Sequence, residues 1–466
     1  MEKERIYKAL PWPLQNAACN WYGWKEKRLR MGKQFESYVA WLKKLEYSDW
    51  DEIRHYQDLR VSRLIEFACK YVPHYQKRFA EFGVHPSQIN SIDDLSKLPL
   101  LSKEDVLKNK CDLLSVGASR KSLVRSHTSG TTGTALEFYK APEAIAFQWA
   151  VWWRHRARFG FGPGDWHVNF TARPVVPLEQ ATPPYWRMDY FRKQIIVSAA
   201  HLNRKNKVEV IAKKMRRSGA GFLTGYCSQI AQFASFLDSS DAVDLGDLDC
   251  VFLGAENADD AQIELIKRVT GATVTDQYGF AEGCGNASRC EYGNYHEDWE
   301  FGVLECVDPV VNADGSRTGR IVATGFADYA FPFIRYDVGD TATWAPEDYR
   351  CPCGRSSKVL WQIDGRNEDY VVTPEGNRVR RWDYLFKDTR SIRQAQVVQR
   401  EYGAVIIRIV PRGAVSEEDF RKVRSTVREW ISPGLDVEFD VVDELARSAS
   451  GKFKPVVSEL DTKASK

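Results

Sequence analysis

Leu64, Phe67, Ala68 and Tyr71 fall at i, i+3, i+4 and i+7, the spacing of one buried helix face, and predict a mostly helical region over 51–110. The run Leu98-Pro99-Leu100-Leu101 closes it, with Ser102 placed to cap a short helix at Lys103–Lys108. From about residue 120 the period shortens. Leu123–Arg125 and Leu136–Tyr139 read as two short strands flanking a loop of Ser, Gly and Thr. Strand–helix units follow: a strand at Gly221–Leu223 with a helix through Phe236, then a strand at Cys250–Leu253 with a helix over Asp259–Val269. Gly271 ends that helix before a strand at Thr273–Val274. This alternation predicts an α/β fold whose large N-terminal domain is built on a mainly parallel, doubly wound sheet. In the last hundred residues Tyr370–Val372, Ala395–Gln399, Val405–Ile409 and Val437–Val441 read as strands. Helices are expected near Arg381–Lys387 and Glu417–Trp430. That is a small C-terminal α+β domain, jointed to the rest at Asp364-Gly365-Arg366.

Composition changes this picture little. With 466 residues, 43% apolar and 28% charged, the chain is that of a folded protein of more than one domain. A net charge of +3 argues against nucleic acid as a partner. No segment reads as a signal peptide and no apolar run approaches a membrane span, so a reducing cytoplasm is expected. Accordingly Cys19, Cys69, Cys111, Cys227, Cys250 and Cys306, isolated in sequence, are expected as buried reduced thiols. The first fifty residues are aromatic and basic, with Trp12, Trp21, Tyr22, Trp24 and Trp41 among Lys and Arg. They read either as an interfacial segment touching lipid or a membrane-bound partner, or as aromatics packed on the next domain. Packing is the commoner outcome.

Two segments carry chemistry. In Thr128-Ser129-Gly130-Thr131-Thr132-Gly133-Thr134 the glycines let successive N–H groups turn onto an anion, and the hydroxyls add donors to phosphate oxygens. It is not a Walker loop, because Thr134 stands where Lys is required and strands flank it on both sides. Asp276-Gln277-Tyr278-Gly279-Phe280-Ala281-Glu282 directly follows a predicted strand, where a doubly wound sheet lines its ligand crevice. An aromatic ring there can stack on a purine, and a carboxylate can hold Mg²⁺ beside phosphates. Gly254-Ala255-Glu256 ends the neighbouring strand.

These segments, followed by Arg335-Tyr336-Asp337-Val338-Gly339-Asp340, Gly365-Arg366 and Ser450-Gly451-Lys452, resemble the ordered motifs of the adenylate-forming superfamily. Within it, Gly254-Ala255-Glu256, Pro332-Phe333-Ile334-Arg335-Tyr336 and the helical N-terminus resemble the phenylacetate–CoA ligase-like branch. That branch includes CapK-type proteins of capsule biosynthesis and synthetases that adenylylate a deazaflavin coenzyme. The resemblance spans about residues 126–455 and implies the adenylate-forming ligase fold. It divides the chain into a helical extension (1–110), a core (111–364) and a mobile C-terminal lid (365–466). It implies ATP and Mg²⁺ as cofactors and a small-molecule carboxylate as substrate, with CoA or an amine or hydroxyl as acceptor. Thr128 through Thr134 would grip phosphate, and Glu256, Gln277, Tyr278 and Gly279 would line the nucleotide pocket, Tyr278 stacking on adenine. Glu282 would support Mg²⁺, and Asp340 and Arg366 would hold the ribose. Lys452 would bridge carboxylate and α-phosphate. Glu368 would be the hinge, although many relatives carry Asp there and Asp369 is an alternative pivot.

Cys290, His296, Cys351 and Cys353 offer three thiols and one imidazole, a complete tetrahedral set for structural Zn²⁺. Unrelated surface thiols or a labile disulfide are the alternatives, and Cys284 is a spare ligand. Trp152, Trp153, His155, Tyr226 and Cys227 are as suited to the core as to an acyl pocket, and His127 and His201 read as structural. Two further functions stay open: adenylylation of a phenolic acceptor, and a zinc-stabilised scaffold in a polysaccharide assembly. A homodimer is compatible with either.

Overall fold

The computed structural model describes residues 2–128, 136–171, 175–177, 179–198, 201–202, 204–238, 244–256, 258, 260–365, 370–376, 378–379, 382–386, 391–411, 415–445 and 456–460. The chain opens with helices α1 (Glu2–Ala9), α2 (Trp12–Arg30), α3 (Phe35–Lys44), α4 (Trp50–Tyr71), α5 (Pro73–Glu81) and α6 (Lys103–Lys108). At the start of α4 the Asp49 carboxylate accepts the Glu52 N–H while Glu52 accepts the Asp49 N–H. Ser102 and Asp105 make the same reciprocal cap on α6. Leu64 and Ala68 of the predicted stripe are fully buried with Val61 and Ile65, whereas Tyr71, at the helix end, is exposed.

Hairpin strands β1 (Val124–His127) and β2 (Glu137–Lys140) precede helix α7 (Pro142–Arg158). Then come β3 (His167–Thr171), β4 (Trp186–Asp189), β5 (Gln194–Ser198), α8 (Lys205–Ser218), β6 (Phe222–Tyr226), α9 (Cys227–Asp238), β7 (Cys250–Gly254), α10 (Asp260–Thr270) and β8 (Thr273–Gly279). Shorter connections link β9 (Asn286–Arg289), β10 (Tyr295–Glu297), β11 (Gly302–Val311), β12 (Arg317–Gly325), β13 (Tyr336–Trp344) and β14 (Val359–Gly365). Twelve strands form one sheet in the order β11-β12-β13-β14-β10-β9-β8-β7-β6-β3-β5-β4.

The parallel, doubly wound character holds for its middle, where β5, β3, β6, β7 and β8 run parallel. Beyond β8 every pairing is antiparallel. Those connections carry no crossover helix, which a parallel neighbour would need. The sheet is therefore more mixed than the strand–helix alternation predicts. A second correction concerns Asp276–Gly279, expected as a loop. These residues continue β8, because Gln277, Tyr278 and Gly279 pair with Ser288, Ala287 and Asn286 of β9.

The C-terminal unit contains β15 (Val371–Val372), β16 (Arg378–Val379), β17 (Ile392–Glu401), β18 (Ala404–Pro411), α11 (Glu417–Trp430), β19 (Asp436–Val441) and β20 (Val456–Ser458). Its four-stranded sheet runs β19-β18-β17-β20 and shares a core of Val397, Ile407, Val423 and Val427 with α11. Where a helix is expected near Arg381–Lys387, the described residues form a 3₁₀ turn at Asp383–Phe386, and Arg381 and Lys387 lie outside them.

Candidate active site and candidate zinc centre

The β1–β2 hairpin closes just below the Gly/Ser/Thr loop. The Thr128 N–H donates to the Leu136 carbonyl at 2.9 Å, and the Leu136 N–H donates to Thr128 Oγ1 at 3.0 Å. This double clasp fixes both ends of the loop. Ser129, Gly130, Thr131, Thr132, Gly133 and Thr134 themselves lie outside the described residues, as do Arg366, Glu368 and Lys452.

Two motif pairs that are far apart in sequence meet beside β8. The Tyr278 hydroxyl donates to Asp340 Oδ2 at 2.7 Å. Burial, and secondly the Asp340 carboxylate, push the Tyr278 phenol well above its usual value, so it stays a donor. Four residues on, buried Glu282 accepts a hydrogen bond from the Tyr336 hydroxyl at 2.8 Å. Tyr336 and Asp340 both belong to β13, which is how the third motif reaches the second. Gly279 is required at this crossing, because a Cβ there would sit 2.6 Å from Asn286 Oδ1. That oxygen already accepts from Trp152 Nε1 at 3.0 Å.

Lys140 is a residue that sequence reasoning missed. Alternation along β2 turns Phe138 and Lys140 inward, and the Lys140 ammonium donates to Gln148 Oε1 at 3.0 Å. A Cβ on Gly283 would lie 2.4 Å from its Nζ, so Lys140 sits against the turn that carries Glu282. Burial lowers its pKa to about 8, opposed by the charges of Asp328 and Glu282. A lone lysine in a strand carries no signal of this role; only the inward register reveals it. The depressed value means the folded state binds fewer protons than the unfolded one between about pH 8 and pH 10.5. Wild-type stability should therefore rise relative to Lys140→Met across that window, by up to about 3 kcal/mol. Urea melts of both proteins at pH 7 and pH 10 check this; a constant difference refutes it.

Glu256 stands just past the carboxyl end of β7, where Oε2 accepts the Ser228 N–H at the start of α9, 3.1 Å away. It ties β7 to α9 beside the crevice. Gln277 donates to Ser288 Oγ at 3.0 Å, holding β8 to β9. Asp276, also on β8, is buried, accepts from the Tyr295 hydroxyl at 2.5 Å, and is raised above the usual carboxylate range chiefly by burial.

The four zinc candidates converge. Cys290 follows β9, His296 lies in β10, and Cys351 and Cys353 sit between β13 and β14; their ligand atoms all lie within 4.8 Å of one another. Cys290 Sγ is 3.8 Å from Cys351 Sγ, and Cys353 Sγ is 3.2 Å from His296 Nε2. A tetrahedron with Zn–S bonds of about 2.3 Å has S···S edges of about 3.8 Å. The hydrogen bond between Cys290 and Cys353 holds the Cys353 thiol down and the Cys290 thiol up, so the two share a proton that a metal would displace. His296 is buried, and its Nδ1 has no hydrogen-bond partner among the described residues. The donor set and spacing fit Zn²⁺, and four protein ligands leave no open position. Cys284 does not serve as a spare: it is buried in the main core against Gly302 and Gly325, beside the charges of Glu282 and Lys140.

Trp153, His155 and Cys227 are buried, and Tyr226 ends β6 half-buried. His201 is bonded to the Pro177 carbonyl and stacked on Tyr185. His127 is exposed at the end of β1. All ten thiols are free, but Cys111 is exposed and Cys69 and Cys306 are only half-buried, so the expectation of burial fails for those three.

Comparisons with known proteins show what the chain is similar to. Residues 371–459 match the family model described as the CapK C-terminal domain. Protein CapK of Staphylococcus aureus is 22% identical over 378 residues, covering 79% of this chain and 81% of that protein. The phenylacetate-coenzyme A ligase of Aromatoleum evansii is 26% identical over 359 residues, covering 71% and 74% respectively. Among solved structures, 2-hydroxyisobutyryl-CoA ligase in complex with 2-HIB-AMP and CoA shares the fold with a TM-score of 0.61. It is 18% identical and the match covers 90% of this chain and 92% of that one. Sequence similarity and fold agree: the chain has the fold of an adenylate-forming CoA ligase and is similar in sequence to CapK and to the phenylacetate-coenzyme A ligases.

Proposed function

We propose that this protein activates a carboxylic acid with ATP and passes the acyl group to CoA, or to an amine or hydroxyl acceptor. The observation that supports this most is the meeting of Tyr278 with Asp340 and of Glu282 with Tyr336, with Lys140 of the hairpin that carries Thr128 against the Glu282 turn. A carboxylate oxygen attacks the α-phosphorus, the bond to the bridging oxygen of the β-phosphate breaks, and pyrophosphate leaves. The acceptor then attacks the acyl carbonyl and AMP leaves. Residues 128–134 hold the phosphates of ATP by backbone N–H groups and hydroxyls. Tyr278 offers its ring to adenine, Asp340 accepts from the ribose hydroxyls, Arg366 is its proposed partner there, and Glu256 lines the pocket. Glu282 is the carboxylate suited to Mg²⁺, which would supply charge neutralisation at the phosphates. Lys452 supplies the cation where two anions meet. Residues 365–466 act as a lid that rotates about Glu368 or Asp369 between the half-reactions. Cys290, His296, Cys351 and Cys353 would hold Zn²⁺, which would pin β9 and β10 to the segment before β14. A role in capsule or surface-polysaccharide synthesis rests on the resemblance of the motifs to those of CapK-type proteins.

The test is ATP–pyrophosphate exchange against a panel of carboxylic acids, phenylacetate included, with mass spectrometry of products formed with CoA and with amines. Exchange dependent on one acid class, and a thioester or amide product, is the expected result. No exchange with any acid, together with a stable AMP–substrate product on a phenolic compound, would replace acyl activation by nucleotidyl transfer.

A further inference from the structure

Helix α2 has two unlike faces. Its inner face covers the free edge of the large sheet: Asn16 Oδ1 accepts the Met188 N–H, Asn20 Nδ2 donates to the Met188 carbonyl, and Asn20 Oδ1 accepts the Tyr190 N–H, each at 2.9 Å. Gln15, Cys19 and Gly23 are buried on that side. The two asparagines thus stand in for a neighbouring strand along β4.

The outer face is differently built. Leu14, Ala17, Trp21, Trp24, Lys25 and Arg28 follow one another at helical spacing and are all exposed, Trp21 at 64% and Leu14 at 52%. Apolar residues occupy the first part of this stripe and cations the last, where Arg28 lies 5.0 Å above the Trp24 ring. Lys27 is exposed beside them. Glu26, the single acid of α2, is paired with Arg30. Beyond Asn20, the β4–β5 turn adds Tyr190, 58% exposed, and Phe191. Charge is concentrated here: residues 1–33 carry eight Lys and Arg against three Glu, so the other 433 residues have a net charge of −2.

From this patch we infer a docking surface for an anionic lipid bilayer. Trp and Tyr rings settle at the headgroup boundary, where one part of the ring is wet and the other dry. Lysine and arginine beside them meet lipid phosphates, and no outward carboxylate of α2 opposes that attraction. No described helix is long and apolar enough to cross a membrane, so contact is at the surface. A protein partner would not need every formal charge of the stripe to have one sign; a phosphate-bearing plane does.

The experiment is co-sedimentation of the full chain with vesicles of phosphatidylcholine alone, or with about 30 mol % phosphatidylglycerol, at low and high salt. Sedimentation should require the anionic lipid and fall as salt rises. The triple variant Lys25→Glu, Lys27→Glu, Arg28→Glu should lose at least about tenfold in partitioning, and Trp21→Ala with Trp24→Ala should lose it at constant charge. Melting temperatures show whether each variant is folded, and the charge variant alone decides the matter if the tryptophan variant is not. Binding no better than a vesicle-free control, equal binding to neutral vesicles, or unaltered binding by a folded charge variant overturns the inference. Self-association abolished by Trp21→Ala, without vesicle binding, assigns the face to a second copy and equally overturns it.

Discussion

Lys452→Ala should lower carboxylate-dependent ATP–pyrophosphate exchange by roughly 10²–10³-fold, the cost of removing one preorganised charge from a site where anions are brought together. The physical problem is the approach of a carboxylate to a triphosphate. Mg²⁺ relieves repulsion at the phosphates, but the incoming oxygen needs its own cation. In the sequence Lys452 follows a Ser/Gly-rich run, Ser448-Ala449-Ser450-Gly451, whose small residues would suit the movement the proposed lid requires. The variant should still consume preformed acyl-adenylate in the presence of the acceptor, because that half-reaction has no carboxylate to guide. Equal loss of both half-reactions would mean that Lys452 supports the fold and does not act in adenylation. Full exchange activity would remove it from the mechanism.

The second large effect is expected at the metal cluster. Cys351→Ser should bring zinc in the purified protein from about one atom per chain to near zero, measured by plasma mass spectrometry. It should also lower unfolding stability by about 3 kcal/mol or more, since a structural zinc site links binding to folding. The reason is topological. Cys290 and His296 belong to the β9–β10 hairpin, and Cys351 and Cys353 to the loop before β14, so a metal there would crosslink segments about sixty residues apart. Beyond it the local core is thin, with Ala345 and Val359 its only other buried members. A metal-free wild-type protein with unchanged stability would refute the assignment.

Much of the architecture was readable because it is local. Caps such as Ser102 on α6, the glycine after α10 and the regular strand–helix alternation are written in neighbouring residues. The antiparallel extension of the sheet was not, since short strands such as Asn286–Arg289 and Tyr295–Glu297 show no period of their own. Their pairing is decided by which edge β8 leaves free.

Residue types in order, from Thr128 to Lys452, were enough to indicate the family and the reaction class. The grouping of Cys290, His296, Cys351 and Cys353 was legible as well, because metal chemistry depends on which atoms are offered. Folding in three dimensions settled what distance in sequence hides. It placed the Tyr278 hydroxyl on Asp340 and that of Tyr336 on Glu282. It turned Lys140 inward against the Glu282 turn, left Cys284 in the core, and sent one face of α2 outward. Side-chain direction follows from register and packing between distant segments, and no window of sequence contains both partners.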